Sequence, residues 1–119
     1  MQIEQKKWTT QSGWEGSTGT DNFPYSQDKN LVFVFGNRFQ LADTARFEEI
    51  RAFYPNSDLL IASTSGEIIE ESVLDDSIVT TAIHFDQTDF EVSTVKIEAS
   101  DNSYEAGKKL ATSLKSEGL

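Results

Sequence analysis

The chain has 119 residues, enough for one hydrophobic core and too few for two. Twenty acidic against ten basic side chains give a formal charge of -10, which repels phosphate backbones and anionic lipid surfaces and excludes nucleic acid and membrane as natural partners. With 37% hydrophobic residues the chain can bury a core, and having no cysteine it can form no disulfide, thiolate metal site or cysteine nucleophile.

The start, Met1 to Trp8, lacks the apolar stretch of a signal peptide, and no apolar run approaches the ~18 residues that span a bilayer. The expected location is the cytoplasm. Residues 12–30 are rich in Gly, Ser, Thr, Asp and Asn and include Pro24, so residues 1–30 read as an N-terminal arm and loop, with Trp8 and Trp14 as its anchors on the domain.

From residue 31 to 119 the pattern is that of an α/β domain (α+β mixed). Leu31-Val32-Phe33-Val34-Phe35 and Leu59-Leu60-Ile61-Ala62 are continuous apolar runs, as expected of strands covered on both faces in a parallel sheet. Between them Asp43 caps a helix with Phe47, Ile50, Phe53 and Tyr54 at helical spacing, and Pro55-Asn56 stops it. This is a parallel strand-helix-strand unit within one mixed sheet.

Residues 77–85 and 90–97 alternate apolar and polar side chains around Asp86-Gln87-Thr88-Asp89, the pattern of an antiparallel hairpin. A change of parity near Ser93 and Thr94 predicts a bulge. Asn102 and Glu105 have capping-box spacing at the head of a C-terminal helix, with Gly107 on its apolar side for close packing and Gly118 as its stop.

Ligands of parallel sheets gather beyond the carboxyl ends of the strands. Here those ends are Asn37-Arg38 and Ser63-Thr64-Ser65-Gly66-Glu67, which side by side would bring together a guanidinium, three hydroxyls and a carboxylate, a cradle for a small polar ligand with a carboxylate and an amine. Ser, Thr and Gly are also what any turn after a strand uses. Gly66 is expected to adopt a positive φ or to let a ligand approach closely. The residues between Arg51 and Lys96 include no Lys or Arg, so this end of the protein is acidic.

No catalytic or metal motif is legible, and the expectation is a protein that is not an enzyme and needs no cofactor. The single histidine, His84, shares its parity with Ile78, Thr80 and Ala82, as a half-buried structural histidine would. Glu70, Glu71, Asp75 and Asp76 lack the pattern of a calcium loop.

The segments Leu31-Val32-Phe33-Val34-Phe35-Gly36-Asn37-Arg38, Phe47-Glu48-Glu49-Ile50-Arg51-Ala52-Phe53-Tyr54-Pro55 and Ala62-Ser63-Thr64-Ser65-Gly66-Glu67-Ile68 resemble the opening of the FIST sensory domain. Asp75-Asp76-Ser77 with the strand after it continues the likeness, and Trp8-Thr9-Thr10 and Gly13-Trp14 are similar to the family's lead-in. Ala62 and Ser65 stand where the family commonly has Cys and Ala. The resemblance implies an intracellular signal-transduction module, often bacterial, that binds small ligands such as amino acids, with some members linked to haem-based nitric-oxide sensing. On that basis Asn37, Arg38, Ser63, Thr64, Ser65, Gly66 and Glu67 are the ligand-binding candidates, Arg38 meeting a carboxylate and Glu67 an amine. The alternative is an interaction scaffold that docks a signalling kinase or receptor without a small ligand. Family members continue well beyond this length, so the chain reads as the first portion of a longer module, and an uncovered sheet edge or face is expected to drive a homodimer.

Overall fold

A computed structural model of the protein describes residues 1–16, 22–98 and 102–114. The chain forms two compact units, residues 1–88 and 89–119. The first is built on a five-stranded mixed sheet in which the strand at residues 13–15 lies at one edge, followed by those at 2–9, 77–84, 30–37 and 58–64. Its strands are β1 (Gln2–Thr9), β2 (Gly13–Glu15), β3 (Asn30–Asn37), β4 (Asp58–Thr64) and β7 (Ser77–His84), and a small hairpin, β5 (Glu67–Ile69) with β6 (Ser72–Leu74), connects β4 to β7.

The strand-helix-strand unit forms, but the burial on both faces that its apolar runs predict does not extend to β4, where Asp58 and residues 60–63 are exposed. β3 and β4 are parallel, with Gly36 opposite Ser63 and Asn37 opposite Thr64, so the two strands end level with each other. A four-residue helix, α1 (Arg38–Leu41), and a longer one, α2 (Thr44–Phe53), make the crossover. Asp43 caps α2 by accepting a hydrogen bond from the Ala45 amide at 3.0 Å, satisfying one of the helix's free donors. At the other end Arg51 donates to the carbonyls of Tyr54 and Ser57, at 3.2 and 2.8 Å, just past the last helical residue.

One face of the sheet carries the core. Val32, Val34, Ile78, Ala82 and Trp8 pack with Ile50 and Tyr54 from α2 and with Phe23 from the loop before β3, all buried. Full burial of such a side chain is worth about 1.5–3 kcal/mol. Ile50 and Tyr54 point inward as the helical spacing predicts, whereas Phe47 lies on the solvent side, 45% exposed. On the opposite sheet face Phe33 and Phe35 stack at 6.4 Å, and Phe35, Leu60 and Ile3 remain exposed.

The N-terminal segment contributes more than an arm. β1 lies between β2 and β7 and pairs with β7 over its whole length, from Gln2 opposite His84 to Thr9 opposite Ser77. Trp8 is a core residue and Trp14, on β2, anchors the sheet edge to α2. Its Nε1 donates to Glu49 at 2.6 Å and its ring meets Phe53 edge-on at 5.4 Å. The central part of the expected loop, residues 17–21, lies outside the described residues.

The hairpin expected between residues 77–85 and 90–97 does not form. Residues 88–98 contain no strand and therefore no bulge, and β7 instead runs antiparallel to both β1 and β3. Residues 77–84 form a strand as expected, but its neighbours come from the start of the chain and the wetter face is missing from its first half, where Ser77, Ile78, Val79 and Thr80 are all buried. In the second unit α3 (Ser103–Ser113) begins as predicted, with Asn102 accepting from the Tyr104 amide at 2.9 Å. Gly107 is exposed, with open space where a Cβ would stand. The expected stop at Gly118 lies outside the described residues.

Candidate functional site

At the level ends of β3 and β4 the backbone makes room for side chains to converge. The β4–β5 connection folds back, the β5–β6 hairpin returns the chain, and the turn before β7 arrives beside the end of β3, because β7 pairs with β3 from Gly36 opposite Ile78 onward. That close approach requires Gly36. A Cβ there would stand 2.9 Å from the Ser77 carbonyl oxygen and 3.0 Å from Cγ1 of Ile78, closer than packed atoms tolerate.

These elements enclose a cavity of about 250 Å³ bordered by Asn37, Thr64, Ser65, Gly66, Glu67, Asp75 and Asp76. Five of the seven candidates from the sequence therefore meet around one space. Arg38 and Ser63 do not border it. Arg38 opens α1 and lays its guanidinium over the exposed Phe39 ring, 4.4 Å from the centroid, and Ser63 is exposed on β4. Asp75 and Asp76 join the site unforeseen. Their signal was present in the sequence, immediately before an alternating strand, but it had meaning only with β3 as that strand's partner.

The polar geometry is specific. Glu67 is 3% exposed; the Thr64 hydroxyl donates to its Oε1 and the Ser77 hydroxyl to its Oε2. Asn37 links two elements, since its Oδ1 accepts from the Phe39 amide at 2.9 Å, capping α1, while its Nδ2 donates to Asp76 Oδ1 at 2.8 Å. Asp76 is held at φ 52°, a left-handed conformation that Asp tolerates better than most residues yet that stores local strain. Gly66 does not have a positive φ, and a Cβ there would make ordinary contacts at 3.6 Å with Asp75 and 3.7 Å with the Leu74 carbonyl oxygen. The left-handed position expected at Gly66 is instead found at Asp76.

A hollow of about 410 Å³ borders Met1, Phe85, Asp86, Gln87 and Thr88 at the opposite end of the sheet, away from the carboxyl ends of the parallel strands where ligands gather. His84 is buried, and its Nδ1 lies 2.7 Å from Asn30 Oδ1 while its Nε2 faces Asp86 at 3.7 Å. Buried and engaged through Nδ1 by Asn30, it is placed as a structural histidine. Among the described residues no group of three or more His, Cys, Asp or Glu side chains is arranged to hold a metal ion, and no helix is long and apolar enough to cross a membrane.

Sheet, crossover and cavity together define an α/β domain with a polar cavity at the carboxyl ends of its parallel strands. The family model described as the FIST N domain matches residues 30–119, well over half of the chain. The chain belongs to this family of sensory domains. The match begins at the first residue of β3, so the likeness drawn for Trp8-Thr9-Thr10 and Gly13-Trp14 stands outside it. No curated protein and no solved structure matches the chain.

Proposed function

We propose that this domain is a small-ligand sensor of intracellular signal transduction, set in a bacterial cytoplasm, that binds a compact metabolite of amino-acid size without transforming it. The observation that carries this reading is the cavity at the ends of β3 and β4, where Asn37, Thr64, Ser65, Gly66 and Glu67 converge with Asp75 and Asp76. Its volume, about 250 Å³, lies just below the ~300 Å³ at which sites for drug-sized ligands begin. Three connections meet there, so a ligand that binds one arrangement of them more tightly than another shifts the population toward it. Asn37 couples the cavity to α1, because one amide group holds both the helix cap and Asp76.

Amide-shift titration with a mixture of the twenty amino acids at millimolar concentration tests the reading. Movement confined to residue 37, residues 64–67 and residues 75–76 is expected. Unmoved amides at all of these positions would remove the sensor role.

The exposed Phe35, Leu60 and Ile61 on and beside the edge strand β4 favour a second reading, an interaction surface for a signalling protein or a second copy of the chain. Sedimentation at two ionic strengths distinguishes it. Self-association that strengthens as salt screens the charge of -10 is its expected signature, and a monomer throughout would leave the surface to a different partner or to none.

A further inference from the structure

The two edges of the five-stranded sheet are unlike. One is β2, only three residues long, and a short edge strand is an ordinary protection against pairing with another chain. The other is β4, seven residues from Asp58 to Thr64, with β3 on one side and, among the described residues, no strand on the other. β4 has no Pro, Lys or Arg, and its single charge stands on its first residue. No bulge turns it away, since it pairs with β3 without a break from Asp58 opposite Leu31 to Thr64 opposite Asn37.

The side chains of this edge are as open as its backbone. Leu60 is 37% and Ile61 42% exposed, and Ala62 and Ser63 are exposed beside them. Successive residues of a strand point to opposite faces, so apolar surface is left uncovered on both. Leu60 and Ala62 continue the face of Phe33 and Phe35, while Ile61 continues the core face beside Val34. Such an edge is completed by one more strand, which takes up the outward amides and carbonyls and extends both apolar faces together.

The strand that fits is β4 itself, because its sequence is complementary to its own reversal. Directly opposite residues of an antiparallel pair share a face, so a twofold axis through a residue joins core face to core face. Centred on Ile61, the pairing uses the whole strand: Asp58 stands opposite Thr64 of the second copy, Leu59 opposite Ser63, Leu60 opposite Ala62, and Ile61 opposite its own twin. Polar ends meet polar ends and the apolar middle meets itself. Centring on Leu60 or Ala62 instead shortens the pairing, and on Leu60 it sets Asp58 against Ala62. The two Asp58 carboxylates fall at opposite ends of the pair, about 20 Å apart at ~3.3 Å per residue, well beyond the ~8 Å over which charges act at physiological salt.

We propose that two copies of this domain join through β4, the strands running antiparallel about Ile61 so that two sheets become one continuous sheet. This rests on the interaction-surface reading of the same edge and commits it to one occupant and one register. Across the join, Phe33, Leu60, Ala62 and Phe35 form an unbroken apolar strip, Leu60 of one copy lying against Ala62 of the other. The pairing reaches Thr64, which borders the cavity, so the joined edge and the ligand site share a strand.

The test uses the whole chain, which has no cysteine of its own. Sedimentation from micromolar to millimolar protein in high salt is expected to show a monomer–dimer equilibrium. Ile61→Lys, at an exposed position, sets two ammonium groups directly opposite each other and is expected to weaken association at least about tenfold with an unchanged far-UV spectrum. Oxidative cross-linking of two single variants reads the register. In Ile61→Cys the thiols face each other within the ~4.4–6.8 Å Cα separation of a disulfide. In Ser63→Cys, on the same face, they are displaced by about 13 Å along the strands, and cross-linking is expected to be at least about tenfold slower. Equal cross-linking of the two, or association of Ile61→Lys as strong as that of the unaltered protein, would overturn the β4 pairing while leaving an interaction surface elsewhere on the domain. A monomer at every concentration and salt would overturn self-association altogether and leave the edge to an extended segment of another protein or to none.

Discussion

Two glutamates of this domain are almost wholly buried, Glu4 at 2% exposure under α2 and Glu67 at 3% beside the cavity, and their surroundings differ in kind. Glu4 has an internal cation. Lys6 Nζ stands 2.5 Å from its Oε1, the Tyr54 hydroxyl donates to the same oxygen at 3.1 Å, and the Tyr25 hydroxyl donates to Oε2. Lys6 is itself enclosed, with its ammonium 5.1 Å from the Tyr25 ring centroid and 5.4 Å from that of Phe53. Glu67 has two hydroxyls and an open space. A buried charge neutralised from within is structural, because its partners fix the elements that supply them. A buried charge left without a counter-charge at the mouth of a cavity is available to a ligand.

The largest expected effect lies at the internally paired site. Glu4→Ala leaves Lys6 unpaired in a half-buried position and removes the acceptor of two phenols, and breaking one side of such a pair costs about 2–4 kcal/mol. Chemical denaturation should show this as a large fall in midpoint. A loss below about 1 kcal/mol would mean that Glu4 and Lys6 are wetter than their burial indicates. Next comes Gly36→Ala, which pushes β3 from β7 just where the cavity begins. A loss of about 1–3 kcal/mol is expected, together with altered amide shifts at Asn37 and Asp76, and an unchanged midpoint would show that the sheet yields there without strain.

The network around Glu4 also sets a pH limit. Burial, reinforced by the nearby Glu4 carboxylate, pushes the Tyr54 phenol well above its ordinary value of 10.0, and burial with the hydrogen bond to Glu4 raises Tyr25. For Lys6 burial acts downward, but hydrogen bonds to Glu4 and Tyr25 outweigh it and its value ends above 10.5. All three folded-state values are raised, so the unfolded chain releases these protons first. The stability they contribute is intact below the ordinary value of 10.0 and is lost as pH climbs through the raised values. Urea midpoints should hold from pH 7 to 9 and fall above pH 10, less steeply in Tyr54→Phe. A flat profile to pH 11 would contradict the enclosure of this network.

The fold was legible where local pattern and neighbourhood coincide. Continuous apolar runs and the Asp43 cap yield β3, α2 and β4 because those elements follow one another and pack together. β1 was hidden because its inward positions are Glu4 and Lys6, which neutralise each other inside the fold but read as solvated residues in a string. β7 was recognised but mispaired, since alternation reports which face is buried and says nothing of which strand lies alongside. The site inherits that pattern. Its β3 and β4 residues were found from the parallel register, Asp75 and Asp76 depended on the true partner of β7, and no pattern in the sequence foretold that Arg38 would turn onto Phe39.

The smallest stability effect is expected at Glu67, and there the comparison is most exposed to test. Glu67→Gln removes the unpaired charge while keeping an amide that can exchange hydrogen bonds with Thr64 and Ser77, whose hydroxyls can donate or accept. Glu4→Gln discharges Lys6's partner instead. Side-by-side denaturation of the two isosteric variants without ligand is the decisive measurement. Glu67→Gln is predicted to lie within about 1 kcal/mol of the unaltered protein or above it, and Glu4→Gln to lose about 2–4 kcal/mol. Equal large losses would show that Glu67 is as structural as Glu4, and the cavity would then have no charge held in reserve for a ligand.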